Sequence, residues 1–142
     1  LYAHWELLPD HYITTISLHA GWNLIHAKLN FTETSQKKLR EKRAMTLSKK
    51  GNFYVFCEQL SPPEACWVFA PADEAITLIG TSPENVDFEA SLRSGWNFVA
   101  PLEDWSLIGS KAVIAWEWDG HFFYPTDSLR GGFGYFLYWL GD

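Results

Sequence analysis

The sequence predicts a mainly β protein (β-rich α+β), an antiparallel sandwich or partly open barrel made of two pseudo-symmetric repeats with one short helix. Three observations carry this expectation. Short β-prone runs alternate with glycine and proline turns. Only one stretch, Thr34 to Arg43, reads as a helix. The landmarks of the first half also recur in the same order in the second.

The elements follow in order. Thr14 to Leu18 is a short strand. His19-Ala20 is a tight tip, and Gly21 supplies the positive φ of a bulged hairpin turn. Trp22 to Leu29 is the return strand. Thr34 to Arg43 follows, capped by Thr32 or Thr34; its one large apolar residue, Leu39, suits a helix that covers an edge. Ala44 to Lys49 and Phe53 to Leu60 form a hairpin around Lys50-Gly51, and Ala65 to Ala70 and Ala75 to Gly80 are further strands.

The second half repeats this plan. Ser17-Leu18-His19-Ala20-Gly21-Trp22-Asn23-Leu24-Ile25 matches Ser91-Leu92-Arg93-Ser94-Gly95-Trp96-Asn97-Phe98-Val99, 74 residues on. Cys66-Trp67-Val68-Phe69 matches Tyr135-Phe136-Leu137-Tyr138 at an offset of 69, as Gly51-Asn52-Phe53-Tyr54 does Gly120-His121-Phe122-Phe123. The helix shrinks to a turn around Ser106 to Ser110, and Asp119-Gly120 marks a two-residue hairpin. One domain spans residues 1–142, with repeats of about 13–80 and 87–142 sharing a core. Joining the copies removes exposed sheet edges.

Around Gly21-Trp22-Asn23-Leu24 and Gly95-Trp96-Asn97-Phe98 the chain resembles β-rich repeat modules of exported bacterial proteins. In those modules a Gly-Trp-Asn-Leu stretch follows a short strand, then come a Gly-Tyr-Trp segment and a closing strand ending in Gly. Ala65-Cys66-Trp67-Val68 and Gly134-Tyr135-Phe136-Leu137 stand at the second segment, and Ile76-Thr77-Leu78-Ile79-Gly80 at the closing strand. No closing strand follows Trp139, so either the chain was cut from a longer protein or Leu1 to Pro9 fills that place. The resemblance implies a secreted or cell-surface location and an accessory role, with no defined reaction.

Composition narrows the function classes. Net charge is −6, against general nucleic-acid binding, which needs basic surface. No apolar run reaches the roughly 18 residues of a membrane span. Residues 1–50 carry eight basic and four acidic groups, and residues 51–142 carry three and thirteen. Lys37, Lys38, Arg40, Lys42 and Arg43 crowd the helix, as an anion-binding face or a solvated one.

Aromatic residues make up 17% of the chain, with eight Trp, and they supply the candidate site. Trp22 and Trp96 read as core anchors beneath their turns rather than ligand platforms, with Gly21 and Gly95 shaping the turns and Asn23 and Asn97 bonding loop backbone. On a strand, Trp116 and Trp118 share a face and Glu117 takes the other. Around Asp119-Gly120, His121 falls opposite Trp118 and Phe123 opposite Trp116. Matching the turn glycines places Trp116 at Leu47, in the core, and Trp118 at Lys49, a place that tolerates charge. Matching Ala112 to Ala44 instead places Trp116 at Ser48 and exposes both. The glycine match is preferred because glycine has a backbone reason there. Trp118, His121 and Trp105 are therefore the ligand-binding candidates; packing near a hairpin end is the competing reading.

Cys57 and Cys66 flank Ser61-Pro62-Pro63, read as a hairpin turn. They then fall opposite each other, and a cross-strand disulfide forms if their Cα atoms lie within about 7 Å. An even count in an exported chain favours pairing; the alternative is two buried thiols. His4, His11, His19 and His26 show no metal-ligand spacing, and Glu103-Asp104 and Glu117/Asp119 are carboxylate pairs by proximity alone. No metal, cofactor or catalytic residue is expected. The expected role is a non-catalytic binding or assembly module whose partner is a carbohydrate or another protein surface, with a hydrolase as the remaining class.

Overall fold

The computed structural model describes residues 10–48, 52–84 and 86–141. The expectations for Leu1 to Pro9, His4 and the Lys50-Gly51 turn lie outside the described residues. The first half contains β1 (His11–Leu18), β2 (Gly21–His26), β3 (Asn30–Phe31), α1 (Glu33–Glu41), β4 (Met45–Leu47), β5 (Tyr54–Phe56), β6 (Ala65–Ala70) and β7 (Glu74–Thr81). The second contains α2 (Phe88–Ser91), β8 (Gly95–Val99), β9 (Trp105–Ser106), β10 (Ala112–Trp118), β11 (Phe123–Thr126), β12 (Ser128–Leu129) and β13 (Tyr135–Trp139).

The protein is mainly β and its strand pairing is antiparallel. Each half builds one four-stranded sheet, ordered β2-β6-β4-β5 and β8-β13-β10-β11. The order is the same when strands are counted along each half. The sheets stay open and none closes into a barrel. A third sheet, β1-β7-β3, covers the face of the first-half sheet turned away from the second half, and β9 pairs with β12 in the second.

Both faces of the four-stranded sheets are apolar, so their strands lack a clean polar alternation. On one face Ile25, Cys66 and Val68 join Leu18, Leu39, Leu60 and Leu78 in the first-half core. Val99, Ala115, Tyr135, Leu137 and Trp139 do the same in the second. The opposite faces meet each other. There Ala65, Trp67, Phe98 and Ala100 are buried, with Leu24, Leu47, Trp118 and Phe136 packed against them. Trp67 meets Phe98 at 5.7 Å and Trp118 at 5.2 Å between ring centroids, and Phe98 stacks on Phe136 at 4.4 Å. This aromatic junction holds the halves together.

Of the two cap candidates Thr32 is the one used, and the helix spans Glu33–Glu41. The Thr32 hydroxyl accepts from Ser35 N–H at 3.2 Å. Besides Leu39, α1 buries Ser35 and Gln36. The Gln36 side chain donates to Leu60 C=O at 2.8 Å and accepts its N–H at 2.9 Å, and Ser35 Oγ accepts Ile79 N–H at 2.7 Å. A largely polar helix is thus tied to the sheet by backbone hydrogen bonds.

Four expectations need correction. The described residues contain two helices, not one: Asp87 caps the four-residue α2 by accepting from Ala90 N–H at 3.2 Å. Cys57 and Cys66 are free buried thiols, because β4 lies between β5 and β6 and the two cysteines never face each other across a hairpin. Cys57 N–H bonds Ala44 C=O instead, at 2.7 Å. The turn after Trp118 is longer than two residues: the Asp119 carboxylate accepts the N–H groups of His121 and Phe122 at 2.8 and 2.7 Å. Phe123, not His121, therefore pairs with Trp118, and Pro125, not Phe123, with Trp116. Finally, Trp118–Phe123 occupies the register of Leu47–Tyr54, and Trp116–Phe136 that of Met45–Trp67. Neither sequence anchor gives this match, because six residues join β4 to β5 and only four join β10 to β11.

Candidate functional site

The two Gly-Trp-Asn turns share one construction. Asn23 Oδ1 accepts His19 N–H at 3.0 Å, while its amide donates to the carbonyls of His19, Gly21 and Val68. Asn97 Oδ1 accepts Arg93 N–H at 2.9 Å, and its amide donates to the carbonyls of Arg93, Gly95 and Leu137. Both asparagines are buried. Gly21 has φ 105° and Gly95 has φ 95°, a conformation that costs other residues strain even though a Cβ would meet nothing within 4 Å.

The tryptophans of these turns are not core anchors. Trp22 is 49% exposed and meets Phe69 edge-on at 5.3 Å; Trp96, half-buried, meets Tyr138 edge-on at 5.2 Å. Each lies on an edge strand of its sheet.

Two of the clefts beside the junction are lined by tryptophans. The first, about 550 Å³, is lined by Leu47, Phe53 and Tyr54 from the first half and Trp96, Trp116 and Phe123 from the second. Asn52 is the one amide among its rings and aliphatic groups. The second, a groove of about 450 Å³, runs along β1 and β2 and is closed by Trp118, Gly120 and residues 132–134. Its rings are Trp118 and Phe133. Its polar groups include Thr15, Ser17, His19, His26 and Lys28.

Trp118 is half-buried, resting on Trp67 and Phe123, and the remainder of it lines the groove. Phe133 is exposed between Gly132 and Gly134, with the Arg130 guanidinium 4.1 Å over its ring. Gly134 has a packing reason to be glycine: a Cβ there would stand 2.5 Å from Leu24 Cδ2. Burial, helped by Lys28, holds His26 below the usual histidine range. His19 bonds Ala20 C=O through Nδ1 at 3.0 Å; a carbonyl only accepts, so Nδ1 carries the proton.

The three sequence-predicted ligand residues do not form one site. His121 is exposed at the tip of the β10–β11 turn and does not line the groove. Trp105 packs on Phe88 at 5.0 Å and on Trp139 at 6.5 Å, beside a separate cleft that includes Glu103 and Asp104. Only Trp118 reaches the groove. Sequence reasoning missed Phe133, His26 and Lys28 as its companions, because they come from distant segments and share no spacing signal.

Other candidate groups have structural partners. Glu117 accepts from the Tyr135 hydroxyl at 3.1 Å and meets Arg130 at 3.4 Å. Asp119 holds its own turn, and those backbone N–H groups keep its carboxyl below the usual range. Burial pushes the Cys57 thiol up to about 11 and raises Cys66 as well, so both stay protonated. On α1, Arg40 pairs with Glu33, Lys42 pairs with Glu74, and Lys38 donates to Thr77 C=O. Much of the helix charge is thus engaged within the fold. Among the described residues no group of three or more His, Cys, Asp or Glu could hold a metal, and no helix is long and apolar enough to cross a membrane.

No family model, curated protein or solved structure matches the chain.

Proposed function

We propose that the chain is a duplicated, non-catalytic binding module of an exported or cell-surface bacterial protein, and that it binds glycan in the groove beside Trp118. One observation carries this: the groove sets two aromatic rings among hydroxyl, imidazole and ammonium groups. Sugars offer apolar faces that stack on rings and a rim of hydroxyls that needs donors and acceptors, and this groove has both. The shared strand order of the two four-stranded sheets supports duplication. The exported location rests on the resemblance of the Gly-Trp-Asn turns; the reduced Cys57 and Cys66 add nothing to it.

A second reading has its own observation. The cleft around Trp96, Trp116 and Tyr54 has almost no polar group to satisfy a sugar, and it fits an apolar segment of a partner protein.

The test is a titration of soluble polysaccharides followed by intrinsic Trp fluorescence. A saturable shift is expected, lost in Trp118→Ala and weakened in Phe133→Ala. Melting curves check that Trp118→Ala, which also loosens the junction, still folds; the exposed Phe133 gives a variant free of that cost. A flat response across the panel overturns the glycan reading and leaves the protein-contact one.

A further inference from the structure

We infer that the groove is built for an anionic sugar polymer, whose acid groups sit against Lys28 and the imidazoles of His26 and His19 while its sugar faces lie on Trp118 and Phe133. This rests on the glycan reading and adds the charge of the ligand.

The argument starts from which charges are already used. Arg40, Lys42 and Arg130 each have a carboxylate partner, and Lys38 is hydrogen-bonded to the backbone. Lys28 is exposed, lines the groove and has no ion-pair partner among the described residues. The groove wall contains no Asp or Glu, in a chain of 17 acidic residues and net charge −6. The carboxylates nearest in sequence, register or contact have partners outside the groove: Glu117 holds Tyr135 and Arg130, and Glu74 holds Lys42. Asp119 accepts from its own turn, and Asp73 accepts Ala20 N–H at 2.9 Å. The groove is therefore an acid-free recess with one ammonium, Lys28, unpaired among the described residues, on an acidic molecule. Neutral glycan does not need that separation; an anion does, because the surrounding surface repels it.

His26 reinforces the choice. Half-buried on β2, it lies close enough that a Cβ on Gly132 would stand 3.9 Å from its Nε2, so the ring sits between the two walls of the groove. A ring nitrogen there is placed to donate to a carboxylate or sulfate oxygen.

The test uses matched polymers and Trp fluorescence: polygalacturonic acid against its methyl ester, and dextran sulfate against dextran. Each pair keeps the sugar and changes the charge. The acid polymers are expected to bind about tenfold tighter than their neutral counterparts, with Lys28→Gln removing most of that difference. Lys37→Gln, exposed on α1 outside the groove, is expected to change nothing. A preference for polygalacturonic acid assigns a carboxylated sugar, and one for dextran sulfate a sulfated sugar. Equal binding of charged and neutral members overturns the charge inference but keeps the glycan reading. So does an equal loss in Lys28→Gln and Lys37→Gln. Binding of none of the four, with neutral glycans of the wider panel still bound, overturns this inference alone. Binding of no polysaccharide overturns both.

Discussion

The turns at His19–Asn23 and Arg93–Asn97 are built alike, yet the segments entering them differ: β1 leads into the first and α2 into the second. The turn is a local object, closed by one asparagine and one positive-φ glycine, so it takes the same form in both settings. The entering segment is not local. β1, rich in β-branched residues, pairs along its length with β7. Asp87, Glu89 and Ala90 favour a capped helical turn, and no strand pairs with that segment. The difference teaches that the motif fixes the hairpin corner and that long-range pairing decides what covers the sheet behind it.

The sharpest way to break the comparison is at the asparagines. Asn23→Ala and Asn97→Ala each leave buried backbone groups without partners and are expected to cost about 3 kcal/mol. Chemical denaturation of both variants checks this. Similar losses uphold two equivalent turns, whereas a loss confined to Asn23→Ala would show that β1, not the turn, sets the stability.

The next largest effect concerns the sheet that only the first half has. A Cβ on Gly80 would lie 2.4 Å from Asn30 O, a backbone atom with little room to move. Gly80→Ala is expected to separate β3 from β7 and cost about 2 kcal/mol. Hydrogen exchange should show lost protection at Thr32 N–H, which bonds Ile79 C=O, with Asn97 and its neighbours unaffected. Uniform loss across both halves would mean that they unfold as one unit.

The smallest effect is a pH dependence in the first half. His26 has Ala100 at the matching place in the second. Because burial depresses its folded pKa, the folded protein takes up that proton at lower pH than the unfolded chain. Its contribution is fully present above the unfolded value of about 6.5 and declines as pH falls toward the folded value. His26→Gln should flatten the melting temperature between pH 7.5 and 5.5 relative to the parent; an unchanged slope would refute this source.

What could be read from the sequence followed the range of the interactions involved. Helix α1 and the β-rich class rest on neighbouring residues and were legible, and the cap was narrowed to Thr32 or Thr34. The Cys57–Cys66 hairpin was not, because β4 inserts between the strands it assumed to be neighbours. The place of Trp118 was misread because the two turns differ in length, which no glycine anchor reveals. Of the three ligand candidates only Trp118 lines the groove, and Phe133, His26 and Lys28 join it there only through folding across the junction.

The aromatic junction has a consequence for dividing the chain. Each half presents to the other a sheet face of rings, and neither face is suited to water. A break near Pro83, between β7 and α2, would leave two fragments, each carrying the complement of the other's sticky side. Such fragments should find one another when mixed, so the linker is the natural place to split this protein into a self-reassembling pair.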